Sequence, residues 1–574
     1  MFDILIQGGK IIDGTGREAF NADVGVVDGK IVAVRPNLEG EAATTLDATG
    51  HTVMPGFVEV HSHFDGQATW DELLEPSTPH GVTTVVTGNC GVGFAPVRRG
   101  DESMLIELME GVEDIPGTAL YEGMTWGWES FPDYLDVLAA RTWTADIATQ
   151  IPHGPMRRFV MGDRSATGAA ASEEELAALA RLTREAVEAG AYGFTTSRTM
   201  GHLSIDGTPV PGTFAADDEL FTLARAVRDG GGAIFEVAPA GLTSWDAAEI
   251  VAGEMEWICR MAAETGLTVS HEVLQQHEDP ERWKREMSAA RDWRARGARV
   301  FPLIAGRPFG ILLGWELRHP FRTRPTYEAL DSLSFDEKVE QLRKPDIKAA
   351  ILSERGEEGT GVLDRFLKSA VPGCYALGTP PDYEPEPSSS LGELAAARGV
   401  SPDSLLYDCM LDEDGHGMLL FPVFNYAGGS HDVLYEQMQD PDAVLGLADA
   451  GAHCGAICDA SMPTYLLTHW VRDRRRGARI GLEDAVRRLT SQPADLYGLS
   501  DRGRLEEGKR ADINVVDLDA LTLHAPYVAH DLPAGGLRIL QGASGFHSTI
   551  VNGSITRRDD QYTGARPGRL LRNT

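Results

Sequence analysis

Short apolar runs, each closed by Gly, Asp or Pro, fill the first 55 residues: DILIQGG, KIIDG, ADVGVVDG and KIVAVRP. Each fits a strand that ends in a turn. Near the other end, GRLEEGKRADINVVDLDA supplies a further strand after a glycine-rich turn. HSTIVNGSITRRD adds a hairpin whose Asn-Gly pair suits a type I′ turn. The two ends therefore predict one small β-sandwich, residues 1–55 with 490–574, around a domain inserted between them. From 56 to 489 the rhythm changes to strand-like runs separated by amphipathic stretches. The runs are GFVEVHSHFD, VTTVVTGNC, AYGFTTSR, GGAIFEVAP, LTVSHEVL, ARVFPLIAG and AVLGLADAGAH. That alternation predicts βα units closing into a parallel barrel.

The segment SEEELAALARLTREAVEAG reads as one of the intervening helices. Ser172 can cap its start with Glu175 three residues on, and Gly190 suits the position just past its end. From about 315 to 420, charge and proline become frequent, as in HPFRTRPTYEAL and GTPPDYEPEPSSS. This stretch breaks the alternation before the last barrel strand and predicts an insertion near the active-site mouth. The expected fold class is α/β: a (β/α)8 TIM-like barrel with a small β-sandwich domain built from both chain termini.

Composition narrows the partners. A formal charge of −34 opposes binding to nucleic acid or anionic lipid. No apolar run approaches the roughly 18 residues of a membrane span. MFDILIQGGK lacks the basic start and apolar stretch of a signal peptide, and the six cysteines are scattered as reduced thiols would be, so a cytoplasmic location is expected. A large acidic barrel of this kind is also expected to form a homo-oligomer through its outer helices.

Several strand ends carry side chains suited to a metal ion. If VEVHSHFD is a strand, His61 and His63 emerge on one face, and neutral imidazoles there can chelate a divalent cation such as zinc. Cys90 follows a β-branched strand among glycines, where a thiolate would be a strong ligand, although a buried cysteine is more often plain core. His271 and Asp449 end two later strands. Asp449 can take a proton from an attacking water and return it to a leaving nitrogen, or it can simply cap the next helix. No lysine lies between Lys30 and Lys284, so a carboxylated lysine cannot bridge two ions on the middle strands. The Cys90 thiolate is the best-placed substitute, and the cofactor is expected to be one or two Zn2+ ions.

Together HSHFD, GNCGVGFAP, VSHEV, LADAGAH and GRLEEGKRADINVVDLD resemble the N-acyl-D-amino-acid deacylase (D-aminoacylase) branch of the amidohydrolase superfamily across nearly the whole chain. The resemblance implies a metal-bearing barrel with a small β-sandwich, in which zinc activates water to cleave an N-acyl amide. It also implies that His61 and His63 form the weaker metal subsite with Asp449, and Cys90 with His271 the tighter one. The chain departs from the family at AIFEVAP, where Glu236 stands in place of a histidine, and a carboxylate can ligate zinc at a similar distance. It departs again after His271, where no cation follows to hold a substrate carboxylate.

Other rim candidates are Arg307, which can grip a carboxylate or polarise a carbonyl, together with His202 and His153. Arg157, Ser197 and His453 lie on the same kind of loop, and Trp126, Trp128 and Trp143 either pack the core or line an acyl pocket. The favoured reading is hydrolysis of a linear, small-molecule amide of the N-acyl amino acid kind, with Asp449 as general base and acid. The alternatives are a cyclic amide, lactone or other C–N bond at the same site, or a catalytically silent scaffold.

Overall fold

The computed structural model describes residues 1–243, 246–355 and 367–573. Among them, eight parallel strand positions circle one core. They are β1 (Phe57–Glu59), β2 (Val82–Thr87), β3 (Asp146–Thr149 and Ile151–Pro152), β4 (Gly193–Ser197), β5 (Ile234–Ala238), β6 (Thr268–Glu272), β7 (Val300–Ile304) and β8 (Val444–Leu445). Neighbours pair in parallel from β1 round to β8, with β3 bonding β2 through its first half and β4 through its second. The ring closes where Ser62, just past β1, bridges in parallel to Ala450, just past β8. The His63 N–H donates to the Ala450 carbonyl at 2.7 Å in the same place. All but one of the residues in β2 to β7 are buried, as strands faced on one side by the barrel core and on the other by helices must be.

The helix after β3 behaves as its sequence predicts. Glu173–Glu188 starts at Ser172, whose side chain accepts from the Glu175 N–H while Glu175 accepts from the Ser172 N–H. It ends before Gly190, which takes a φ of +124° that a side chain would resist.

Both chain ends enter one nine-stranded sheet. Phe2–Ile11 pairs with Phe20–Val27, Ala42–Asp47 and Thr52–Pro55, and the last of these pairs in turn with Ile513–Val516. Ile4, Ile6, Val24 and Val53 from one end share a core with Ile513, Val515 and Ile550 from the other. A second feature escaped the sequence reading: the hairpin Thr522–Leu532 with Gly536–Ser544 leaves this sheet and reaches the barrel rim, where the Ile539 N–H donates to the Cys454 carbonyl.

Between β7 and β8 the expected insertion forms a body with its own core. Gly310–Leu313, Tyr375–Ala376 and Leu419–Pro422 make a small antiparallel sheet backed by helices, and Trp315, Phe321, Tyr327 and Tyr407 pack at its centre. Residues 356–366 of the expected insertion lie outside the described residues. The body sits against the rim: the Leu312 N–H donates to Ala456, and the Arg318 guanidinium meets Asp114 at 2.6 Å.

One buried charge network ties the terminal sheet to the barrel. Arg502 is 2.7 Å from Asp146 at the foot of β3, donates to Thr84 Oγ1 in β2, and lies 3.6 Å from Asp512. Arg510 reaches the same Asp146 at 2.8 Å. Removing the central cation would leave two buried carboxylates short of compensation. Arg502→Met is therefore expected to lower unfolding stability by about 3 kcal/mol in denaturant titration, and a loss under 1 kcal/mol would contradict this account.

Candidate metal centre

The rim turns that present the site are held in unusual backbone. Cys90 follows β2 inside GNCG, with Gly88 and Gly91 at φ +86° and +69°. A Cβ on Gly88 would sit 2.3 Å from the Gln150 carbonyl, and one on Gly91 would sit 2.8 Å from the Ser197 N–H nitrogen, so the turn packs as only glycine allows. Cys90, Asp449 and His453 themselves adopt φ of +54°, +47° and +51°. Such strain in non-glycine residues persists only where surrounding structure enforces it, and it clusters at functional sites.

These turns bring His61, His63, Cys90 and Asp449 together. His61 Nε2 lies 3.2 Å from Cys90 Sγ and 3.1 Å from Asp449 Oδ1, and His63 Nε2 is 3.7 Å from the same oxygen. Donors bound to one zinc at about 2.0–2.3 Å in tetrahedral array stand roughly 3.3–3.8 Å apart, close to what these atoms show. On the other edge of the ring, His61 Nδ1 is 3.2 Å from Glu236 Oε1. Both ring nitrogens of His63, together with His61 Nδ1, Glu113 Oε1 and Glu236 Oε1, are buried without a hydrogen-bond partner. Orphaned buried donors of these types fit a cation.

The electrostatics make the same demand. Burial opposes a charge on His61, yet Cys90, Glu236 and Asp449 around it carry its pKa well above the ordinary value. Burial pushes the Cys90 thiol up as well, against the pull of the His61 charge. Burial would likewise raise Asp449, but the His61 charge and the hydrogen bonds of both histidines hold it well below the carboxylate range. Burial lifts Glu272 to about 8 and Glu113 well above its usual value.

The structure does not bring His271 into this cluster. Glu236 is in register with Ser270 across β5 and β6, so Ser270 and Glu272 share its side of the sheet while His271 points the other way. Neither ring nitrogen of His271 has a hydrogen-bond partner, and burial, with Arg294 of the outer helix Arg282–Arg294 adding to it, lowers its pKa to about 4. Glu272 takes the inward place, 3.5 Å from Cys90 Sγ and 4.0 Å from His61 Nε2. Its alternation with Ser270 was the available signal. Glu113, the last residue of helix Glu102–Glu113, also enters, 3.4 Å from His63 Nε2 and 3.8 Å from His453 Nε2. No spacing in the sequence marks it.

The three expected substrate residues separate. His202 stands near the mouth with Nδ1 2.8 Å from Ser197 Oγ, and burial with the nearby His453 and His63 lowers its pKa to about 3. His153 is committed at both nitrogens, to Thr196 Oγ1 at 2.8 Å and Glu219 Oε1 at 3.0 Å, and Arg157 holds that glutamate too. Arg307 is fully buried, paired with Asp459 at 2.8 Å, donating to the Cys458 carbonyl and stacked over Tyr383. Both are framework residues here, not substrate contacts. The tryptophans follow suit, with Trp128 and Trp143 donating to the Phe94 and Ala68 carbonyls in the core.

A second group of donors, Glu384, His431 and His469, lies elsewhere. Arg474 donates to both oxygens of Glu384, at 2.9 and 3.1 Å, which neutralises the carboxylate a metal would need. A small cleft of about 20 Å³ adjoins Asp449, lined in part by Gln67, Cys454, Ile457, Cys458, Asp459 and Arg538.

A parallel barrel that gathers His, Cys and Asp donors at its strand ends defines a class of barrel hydrolases. Within that class the chain belongs to the amidohydrolase family, whose model matches residues 44–557. It is 26% identical over 592 residues to a D-aminoacylase from Alcaligenes xylosoxydans xylosoxydans, covering 100% of this chain and 98% of the relative. It is 27% identical over 580 residues to an N-acyl-D-aspartate deacylase from the same organism, covering 99% and 95%. Among solved structures it is similar to the N-acyl-D-glutamate deacylase of Bordetella bronchiseptica in complex with zinc and a phosphonate inhibitor, with a TM-score of 0.65, 24% identity, and 100% and 99% coverage. The chain is accordingly an enzyme of the amidohydrolase and deacylase kind, acting on carbon–nitrogen bonds other than peptide bonds. Among the described residues no helix is long and apolar enough to cross a membrane.

Arg307 distinguishes framework from substrate contact experimentally. Arg307→Met leaves Asp459 buried and unpaired, so it is expected to cost about 3–5 kcal/mol of stability with KM changed less than twofold. A large rise in KM at unchanged stability would restore the substrate role.

Proposed function

We propose that this amidohydrolase cleaves the amide of an N-acyl amino acid, with His61, His63, Cys90 and Asp449 holding a zinc ion and Asp449 moving the proton. The observation that carries the reading is the convergence of these four donors at 3.1–3.7 Å, with both nitrogens of the buried His63 unpartnered. Zinc, when bound, supplies Lewis acidity and lowers the pKa of water.

The chain's own groups divide the remaining work. Asp449, its side chain 12% exposed, is ionised and stands at the edge of solvent. Its carboxylate can accept a proton from the attacking water and pass it to the leaving nitrogen. His453, more open at 24%, lies 4.0 Å from Asp449 and faces Glu113, where it can donate to the substrate at the mouth. That the amine portion is an amino acid, and of D configuration, is supported by the relatives named as a D-aminoacylase and D-amino-acid deacylases.

Asp449→Asn is expected to lower kcat about 10²–10⁴-fold while zinc, assayed by metal analysis, stays bound. Near-full turnover would remove Asp449 from the proton's path. In a hydrolysis screen of paired D- and L-N-acyl amino acids against other amides, turnover confined to the D series is the expected result, and turnover of cyclic amides or lactones alone would favour the rival bond.

Zinc affinity should depend steeply on pH. Ligands bind deprotonated, and here His61 and Cys90 both sit above their ordinary pKa. Affinity therefore rises with pH through neutrality and weakens as pH falls. Chelator competition between about pH 6 and 9 measures this slope, and a flat profile would contradict the assigned ligands.

A further inference from the structure

We infer that Glu236 is a positioning residue for His61, not a metal ligand, and that the centre is built for one ion. The inference rests on the metal reading above. The two nitrogens of an imidazole face opposite ways. Cys90 Sγ and Asp449 Oδ1 gather at His61 Nε2, whereas Glu236 Oε1 stands 3.2 Å from Nδ1. An ion held with Cys90 and Asp449 is thus on the far edge of the ring from Glu236. A carboxylate on the Nδ1 side attracts that edge of the ring electrostatically and favours the tautomer that leaves the Nε2 lone pair for the ion.

The other oxygen is equally committed. Glu236 Oε2 accepts from Gln150 Nε2 and from the Tyr497 hydroxyl, both at 3.0 Å, and all three side chains are buried. With Oε2 held by two donors and Oε1 set beside the ring at 3.2 Å, the carboxylate is oriented without any metal. The network then runs to the ligands. Gln150 Nε2 also lies 2.8 Å from Asn89 Oδ1, and Asn89 Nδ2 donates to the Ser62 carbonyl at 2.9 Å. Asn89 precedes Cys90 and Ser62 separates the two histidines, so a single polar chain braces the turns carrying three of the four donors.

A second ion would need further donors near Glu236. His61, Glu236 and Glu272 do bring ligand atoms within 4.8 Å of one another, but the His61 imidazole is already used by the first ion and His271 faces away. Two carboxylates and no free imidazole make a poor zinc subsite.

The test compares wild type, Glu236→Gln and Tyr497→Phe for zinc stoichiometry and Kd, with the Co(II) forms read by their thiolate-to-metal charge-transfer absorption. The expected result is one ion per chain in all three and the charge-transfer band retained. Kd should rise about 10–100-fold in Glu236→Gln and less, in the same direction, in Tyr497→Phe. A merely structural role would lower melting temperature without moving Kd, and would overturn the proposal. Two ions in wild type with one lost in Glu236→Gln would make Glu236 a ligand and also overturn it. Should Glu236→Gln fail to fold, Tyr497→Phe decides, an unchanged Kd counting against the inference. A wild-type chain that binds no ion would defeat the metal reading itself and this inference with it, a result distinct from either of the others.

Discussion

The crowding of buried acids around one imidazole is the constraint on which the rim of this barrel depends. Glu113, Glu236, Glu272 and Asp449, with the Cys90 thiol, approach His61 and His63 where almost no water reaches. Leaving even one such charge uncompensated costs several kcal/mol. The arrangement is stable only if protons or a cation share the site with the acids. Everything nearby is shaped by that need: the positive φ of Cys90 and Asp449, the glycines that let GNCG fold tightly, and the bridge between Ser62 and Ala450 that closes the barrel beside the cluster.

The rest of the chain supports this rim from three directions. The terminal sheet grips the bottom of β2 and β3 through Arg502 and Asp146. The C-terminal hairpin reaches up to the turn after Asp449, where Gln541 accepts from Ser461 and lies beside Arg307. The insertion presses on that turn through Leu312 and on the end of the Glu113 helix through Arg318. Residues that look like ligand-grasping cations in a linear reading, Arg307 above all, are spent on joining these bodies.

What was legible in the sequence follows from periodicity. Strands buried on both faces write themselves as apolar runs, so the barrel, the HSH pair, Cys90 after its β-branched strand and Asp449 after the last one could be read directly. The capped helix from Glu173 was equally plain, because Ser172 and Glu175 act locally. Facing was harder. A one-residue choice within VSHE decides whether His271 or Glu272 enters the cluster, and only the pairing of Glu236 with Ser270 settles it. Glu113, Gln150 and Tyr497 arrive from a helix end, a strand break and the last barrel helix, and their convergence is purely three-dimensional. His153 and Arg307 failed as substrate contacts for a related reason: a polar residue after a strand looks the same whether its partner is a ligand or a buried carboxylate.

Charge arithmetic carries the argument one step further. In the proposed site, a divalent ion would be neutralised by the Cys90 thiolate and Asp449 alone. Glu236, set against His61 Nδ1, has its other oxygen held by the Gln150 and Tyr497 donors. Glu113 and Glu272 must then keep their protons near neutrality, which is the direction in which burial and Asp449 drive both of them. A neutral carboxyl is a hydrogen-bond donor as well as an acceptor. Glu272 beside Cys90 and Glu113 beside His63 thus turn from charges that would compete for the ion into groups that can steady its ligands. Glu113 and Glu272 are compatible with a working centre because burial in the barrel favours their protonated forms.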